Sequence, residues 1–273
     1  MATEYVQSHC FEPVPFSMAF QPIVDIDRER VYAYEALVRG PRGESADSIF
    51  AAVAQENRYF FDHCCRKRAI ELAGKLQLPE LGVKLALNFM PGAIYCEGSS
   101  VPDTLHLAEA LAFPQSLLIF EINEREQVTN AHHLQNIADV YRRQGFEFAI
   151  DDFGAGFANL SLLADLSANT IKLDMSLIRG LHDRHRARKI VCAIMDLCST
   201  LNIRVVAEGV ETLNEFHALR ECGVRFMQGF LLACPGFEML PGFQLPSRLS
   251  FSQGAPPERI LRLRSNPSAT AAA

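Results

Sequence analysis

Eight short apolar runs punctuate the chain, each the length of a buried strand, and their spacing constrains the fold more than any other feature. They are Phe20–Val24, Val31–Arg39, Val83–Phe89, Leu117–Ile122, Phe146–Ile150, Thr170–Asp174, Ile203–Glu208 and Phe226–Leu231. Only the charged stretch 25–30 separates the first two, which reads as a hairpin-like link. Most later gaps carry helical periodicity. Phe61, Cys65, Ala69, Leu72 and Leu76 form a stripe within a helical region 46–76, and Thr104–Ala112 reads as a short helix. Asn130 can cap a helix with the face Leu134, Ile137, Ala138 and Tyr141, stopped by Gly145. Leu160, Leu163 and Leu166 mark another helix, and Ile190, Ile194, Leu197 and Leu201 the next. Thr212 and Glu215 have capping-box spacing for a last helix with Leu213, Phe216 and Leu219, ended by Gly223. Eight strands, with helices alternating after the second, favour one closed α/β barrel over an open sheet. The 273 residues suit this, since such barrels take about 250. Residues 1–15 read as an N-terminal arm, 16–246 as the barrel domain, and 247–273 as a loose tail with a short helix near 256–264.

The totals narrow the class of partner. With 26 basic and 32 acidic residues the net charge is −6, which excludes an electrostatic footprint for long nucleic acid or an anionic membrane surface. No apolar run reaches the ~18 residues of a membrane span, and residues 1–15 lack a signal-peptide core, so a cytoplasmic protein is expected. Eight cysteines (10, 64, 65, 96, 192, 198, 222, 234) occur without a C-x-x-C and mostly among apolar neighbours. They read as reduced core residues rather than bridges or zinc ligands.

The chemistry gathers where the runs end. Glu35, Asn88, Glu121, Asp151 with Asp152, Lys172, Glu208 and Gln228 all stand at or near the C-terminal ends of strands, and a barrel delivers such ends to one mouth. Adjacent acids on a straight strand point to opposite faces, so Asp151 and Asp152 can reach one place only if a turn begins there, which Gly154 and Gly156 permit. Singly, each residue is also explained as a solvated strand end, a surface lysine or a turn cap. Jointly, five carboxylates (Glu35, Glu121, Asp151, Asp152, Glu208) in one mouth require neutralisation. Two divalent cations and Lys172 balance them. The ligand set is all oxygen, which selects Mg²⁺ or Mn²⁺ over zinc, and a two-metal site suits in-line attack on a phosphodiester.

These residues also carry a resemblance. Glu35-Ala36-Leu37-Val38-Arg39, Leu87-Asn88, Glu121-Ile122-Asn123-Glu124, Asp151-Asp152-Phe153-Gly154-Ala155-Gly156, Ile171-Lys172-Leu173-Asp174, Ala207-Glu208-Gly209-Val210-Glu211 and Gln228-Gly229-Phe230 resemble, in order and spacing, the motifs of the EAL-domain cyclic di-GMP phosphodiesterases. The likeness covers residues 16–246. It implies a TIM-like barrel whose first strand runs antiparallel to the others. It places one metal on Glu35, Asn88, Glu121 and Asp151, and a second on Asp151, Asp152 and Glu208. Lys172 then matches a residue that helps activate the attacking water, with Gln228 beside it. Arg39 matches a phosphate contact, Gln21 and Glu211 match substrate contacts, and Glu124 matches the anchor of the loop after Asp152. The resemblance further implies hydrolysis of cyclic di-GMP to linear pGpG by two-metal activation of water, inhibition by Ca²⁺, a homodimer, and regulation by a sensory or regulatory protein partner.

Ala155, Ala158-Asn159 and Gly40 depart from the residues common in that family, at the loop and the rim rather than at the metal ligands. Two other functions fit the mouth: a catalytically silent cyclic di-GMP receptor or protein-binding regulator, and a Mg²⁺-dependent lyase with a lysine base. Retention of Glu35, Glu124 and Lys172 separates the enzyme from the silent receptor, and the order of the motifs speaks against the lyase.

Overall fold

The computed structural model describes residues 14–90, 101–123, 145–155, 163–164 and 167–246. Its strands are β1 (Ser17–Asp25), β2 (Arg30–Arg39), β3 (Lys84–Phe89), β4 (Leu118–Asn123), β5 (Glu147–Phe153), β6 (Thr170–Leu173), β7 (Arg204–Ala207), β8 (Phe226–Met227) and β9 (Gly236–Phe237). The order β2-β3-β4-β5-β6-β7-β8-β1 closes on itself through the β1–β2 hairpin. Strands β2 to β8 pair in parallel, while β1 runs antiparallel to both its neighbours. The expected TIM-like barrel with a reversed first strand is therefore the observed fold.

β9 was not expected. It pairs with β1 at Ala19 and Phe20, on the edge where β8 reaches only Val24 and Asp25. Pro22, which has no N–H to give, falls in the gap between these two partners. β8 is shorter than the apolar run Phe226–Leu231 implies, because the chain turns away after Met227.

The helices are α1 (Ala46–Ala51), α2 (Arg58–Lys75), α3 (Val101–Ala110), α4 (Met175–Ile178), α5 (His185–Thr200) and α6 (Leu213–Glu221) among the described residues. A 3₁₀ turn at Gln55–Asn57 splits the region 46–76 into α1 and α2. On α2, Phe61, Cys65, Ala69 and Leu72 are buried as their spacing requires. The capping box of α6 forms in full, with Thr212 Oγ1 accepting from Glu215 N at 3.2 Å and Glu215 Oε2 accepting from Thr212 N at 3.0 Å. On α5 the expected face is inward only in part. Ala187, Val191 and Cys198 are buried and Ile194 packs partly buried against the core, whereas Ile190, Leu197 and the C-cap Leu201 are exposed. Residues 130–144 of the expected helix, and Leu160 and Leu166, lie outside the described residues; Gly145, its expected stop, takes a left-handed backbone with φ 95°.

Two apolar regions result. A large one fills the space between strands and helices, and a small one plugs the barrel interior with Ile23, Ala33, Ala86, Ile119, Ala149 and Val206, packed against Phe226. Side chains alternate across a strand, so the residue two positions further points into the barrel again, one layer up. From Ala33 that residue is Glu35, from Ala86 Asn88, from Ile119 Glu121, from Ala149 Asp151, from Val206 Glu208 and from Phe226 Gln228. On the reversed β1, counting back from Ile23 gives Gln21. The polar mouth is the layer directly above the apolar plug.

Candidate active site

Backbone hydrogen bonds continue past the strand ends and hold this upper layer. Glu208 N donates to Leu173 O at 3.1 Å, and Gln228 N donates to Ala207 O at 2.8 Å. At β5 the pairing with β6 shifts register between Ile150 and Phe153, and Asp152 takes a left-handed backbone with φ 56°. Gly154 follows at φ 99°. This is the turn that the adjacent acids need, and it brings Asp151, Asp152 and Glu208 together, with one carboxylate oxygen from each within 4.8 Å of the others.

Lys172 stands at the centre, 1% exposed. Its Nζ lies 2.6 Å from Glu208 Oε1, 2.9 Å from Glu121 Oε2, 3.2 Å from Asp151 Oδ1 and 3.4 Å from Glu35 Oε2. An amide chain extends from Glu35. Gln228 Nε2 donates to Glu35 Oε2 at 2.6 Å and to Gln21 Oε1 at 3.1 Å, and Gln21 Nε2 donates to Ala233 O at 3.0 Å. On the other side Asn88 Nδ2 approaches Glu35 Oε1 at 3.4 Å.

The charges do not balance. Burial pushes Glu121 and Glu208 well above the usual carboxylate range, with Lys172 pulling Glu121 back only in part and Asp151 adding to the rise at Glu208. Burial alone would lower Lys172, but Asp151, Glu121, Glu208 and Glu35 outweigh it and hold the ammonium well above the usual lysine range. One ammonium thus serves too many carboxylates, and the surplus favours protons or cations. Gln228 Oε1 is buried with no hydrogen-bond partner among the described residues, and Asp151 Oδ1, which also accepts no hydrogen bond there, meets the Lys172 ammonium at 3.2 Å. An all-oxygen set, surplus negative charge and an unsatisfied buried oxygen on Gln228 fit divalent cations with a preference for hard ligands.

A cleft of about 430 Å³ opens over this layer, lined by Gln21, Glu35, Asp151, Asp152, Glu208, Glu211 and Gln228, with Asp174, Met175, Gly209, Gly229 and Phe230 completing it. Glu211 is held at the rim by Arg179 Nη2 at 2.8 Å. Arg39 is not among these lining side chains; its Nη1 turns back to Val38 O at 2.7 Å. Glu124 lies outside the described residues. Sequence reasoning did not single out Asp174, Met175 and Phe230. Asp174 caps α4, accepting from Ser176 N at 2.9 Å, and its place after Lys172 in the motif was the available signal. Phe230 and Met175 expose large apolar side chains at the rim; Phe230 closes the motif begun by Gln228, whereas nothing in the spacing marks Met175.

A closed barrel with a reversed first strand and a buried lysine ringed by carboxylates defines a protein with an acidic, cation-competent mouth. The chain belongs to the EAL domain family, whose model matches residues 10–235. It is 31% identical over 232 residues to the cyclic di-GMP phosphodiesterase PA2567 of Pseudomonas aeruginosa, covering 83% of this chain and 39% of that protein. It is 30% identical over 231 residues to the blue light- and temperature-regulated antirepressor BluF of Escherichia coli, covering 84% of this chain and 57% of that one. The chain therefore spans well under two thirds of either relative. Among solved structures, a standalone versatile EAL protein from Vibrio cholerae O395 in its c-di-GMP bound form superposes with TM-score 0.79 at 44% identity, covering 86% of this chain and 98% of that one. A manganese/cyclic di-GMP complex of Klebsiella pneumoniae BlrP1 gives TM-score 0.76 at 36% identity, with 84% and 58% covered.

Among the described residues, no helix is long and apolar enough to cross a membrane.

Proposed function

We propose that this chain hydrolyses cyclic di-GMP to linear pGpG with two Mg²⁺ or Mn²⁺ ions held in the barrel mouth. The observation that carries the reading is Lys172, buried within 3.4 Å of four carboxylates that converge from β2, β4, β5 and the end of β7. The names of the relatives support the substrate, since one is a cyclic di-GMP phosphodiesterase and two solved neighbours hold the nucleotide.

Glu35, Asn88, Glu121 and Asp151 would hold one ion, and Asp151, Asp152 and Glu208 the other. Bound there, the ions would polarise the phosphodiester and lower the pKa of an attacking water. The chain's own groups do the remaining work. Lys172 keeps a positive charge where a proton must be lost, and favours the ionised form of a neighbouring water. Gln228, pinned by Glu35 and Gln21, offers an unsatisfied Oε1 to accept a hydrogen bond from that water. Gln21 and Glu211 line the cleft for the nucleotide, with Arg39 reaching a phosphate after a side-chain rotation. Glu124 would anchor the loop beyond Asp152. Ca²⁺ would bind without turnover, because its looser coordination misplaces the water.

Exposed Ile190 and Leu197 on α5, with Leu201 at its C-cap, support a homodimer through that helix, and a sensory or regulatory protein would act on the assembly from outside the barrel.

The test is chromatography of cyclic di-GMP incubated with the protein and Mg²⁺. Formation of pGpG supports the enzyme. Tight binding of an intact nucleotide would instead make the chain a receptor.

A further inference from the structure

Cys192 and Cys222 come from different helices and meet away from the barrel mouth. Cys192 lies on α5 and Cys222 caps the C-terminus of α6, and the Cys192 thiol donates to Cys222 Sγ at 2.8 Å. The two are unequally accessible. Cys222 is 9% exposed, and its thiol donates weakly to Arg188 O at 3.8 Å. Cys192 is half-buried and borders an open depression shared with His185, Arg188, Lys189 and Asp196. A small molecule can therefore reach Cys192, while Cys222 waits behind it. An ion pair between Arg188 and Glu221 already ties the same two helices at the surface.

We propose that Cys192 and Cys222 form a reversible intrachain disulfide, a modification site for thiol–disulfide exchange with low-molecular-weight disulfides. In the first step the Cys192 thiolate attacks one sulfur of a small disulfide RSSR, breaking its S–S bond and expelling RS⁻, to leave a mixed disulfide on Cys192. In the second, Cys222 loses its proton and attacks the Cys192 sulfur, expelling the second RS⁻ and closing the Cys192–Cys222 bond. Both protein thiols are oxidised by two electrons in total, and RSSR is reduced to two RSH once the departing thiolates take up the two protons.

Burial, and then the adjacent Cys192, push the Cys222 thiol up to about 12, which makes it the later partner. The bond would close a covalent loop spanning β7 and Glu208, so oxidation would restrain the strand that carries an acid of the mouth.

The experiment equilibrates the full chain in buffers of graded oxidised and reduced glutathione, quenches with an alkylating reagent, and maps the peptides by mass spectrometry. The expected result is a linked peptide pair that contains Cys192 and Cys222, lost on treatment with dithiothreitol. Its ratio to the dithiol should change about tenfold for each ~30 mV of buffer potential, the slope of a two-electron couple. In Cys222→Ser the same treatment should stop at a glutathione mixed disulfide on Cys192. A wild-type chain that retains that mixed disulfide, that links Cys192 to another cysteine or chain, or whose Cys192 stays alkylatable in the most oxidising buffer overturns the proposal. The wild-type measurement decides even if Cys222→Ser fails to fold.

Discussion

Lys172 Nζ sits 2.6 Å from Glu208 Oε1, and the three other carboxylates around it are all more distant. One ammonium is shared by acids from four different elements, so no single pairing satisfies the site. If these acids hold the metals as proposed, the lysine among them is placed to handle a proton rather than to bind an ion.

Lys172→Met keeps the bulk of the side chain and removes the charge. Binding of cyclic di-GMP with Ca²⁺, measured by calorimetry, should stay near wild type, while turnover at saturating Mg²⁺ and substrate should fall about 100-fold or more, the range for loss of a proton-transfer group. Turnover within a few fold of wild type, with weakened metal binding, would reduce Lys172 to a counter-charge.

Gly229 tests how the mouth is held. A Cβ there would stand 2.1 Å from Val210 O and 2.3 Å from Val210 N, backbone atoms that cannot rotate away. The same backbone bonds to both sides of Gly229, with Val210 N donating to Gln228 O at 3.0 Å and Leu231 N donating to Val210 O at 3.0 Å. Gly229→Ala should cost about 2 kcal/mol in a denaturant titration and lower turnover by displacing Gln228. An unchanged denaturation midpoint would show that the turn relaxes freely.

The barrel closure carries a pH-dependent pair. Arg225 Nε and Nη2 donate to Asp25 Oδ1 and Oδ2 at 2.6 and 2.5 Å, joining the end of β1 to the residue before β8. Burial would raise the Asp25 carboxyl, but Arg225 and the Arg28 amide outweigh it and hold the group below its ordinary 3.8. With the folded value below the unfolded one, this stabilisation is complete above the unfolded pKa and is lost as pH falls through the folded one. Arg225→Met should therefore cost about 2 kcal/mol near neutrality, at the modest end because Arg225 is one-third exposed, and the gap from wild type should narrow below about pH 4. A gap that is constant with pH would assign the loss to packing alone.

Much of the barrel was legible because strand alternation is strict. Glu35, Glu121, Asp151 and Glu208 each stand two residues beyond an inward-facing apolar residue, so the runs and the acids announced one another. Helix α5 was read only in part. Its apolar residues at helical period cover more than one face, and periodicity fixes spacing but not which of them meet the barrel; Ala187, Val191, Cys198 and, partly buried, Ile194 do, and Ile190, Leu197 and Leu201 do not. β9 was invisible because two residues are too few to show alternation. Arg39 was expected at a phosphate, but a long side chain at a strand end has several acceptors within reach, and here it takes Val38 O.

The charge balance of the mouth gives the most direct test. Five acids, Glu35, Glu121, Asp151, Asp152 and Glu208, surround or adjoin one ammonium, which leaves four negative charges for two divalent cations. Calorimetric titration of the metal-free protein with Mn²⁺ in the presence of cyclic di-GMP and Lys172→Met, which should not turn over, counts the ions without consuming the substrate. Two Mn²⁺ per chain, falling to one or none when Asp151→Asn is added, is the expected result. No saturable Mn²⁺ binding, or a stoichiometry indifferent to Asp151, would contradict the reading of this mouth as a two-metal site.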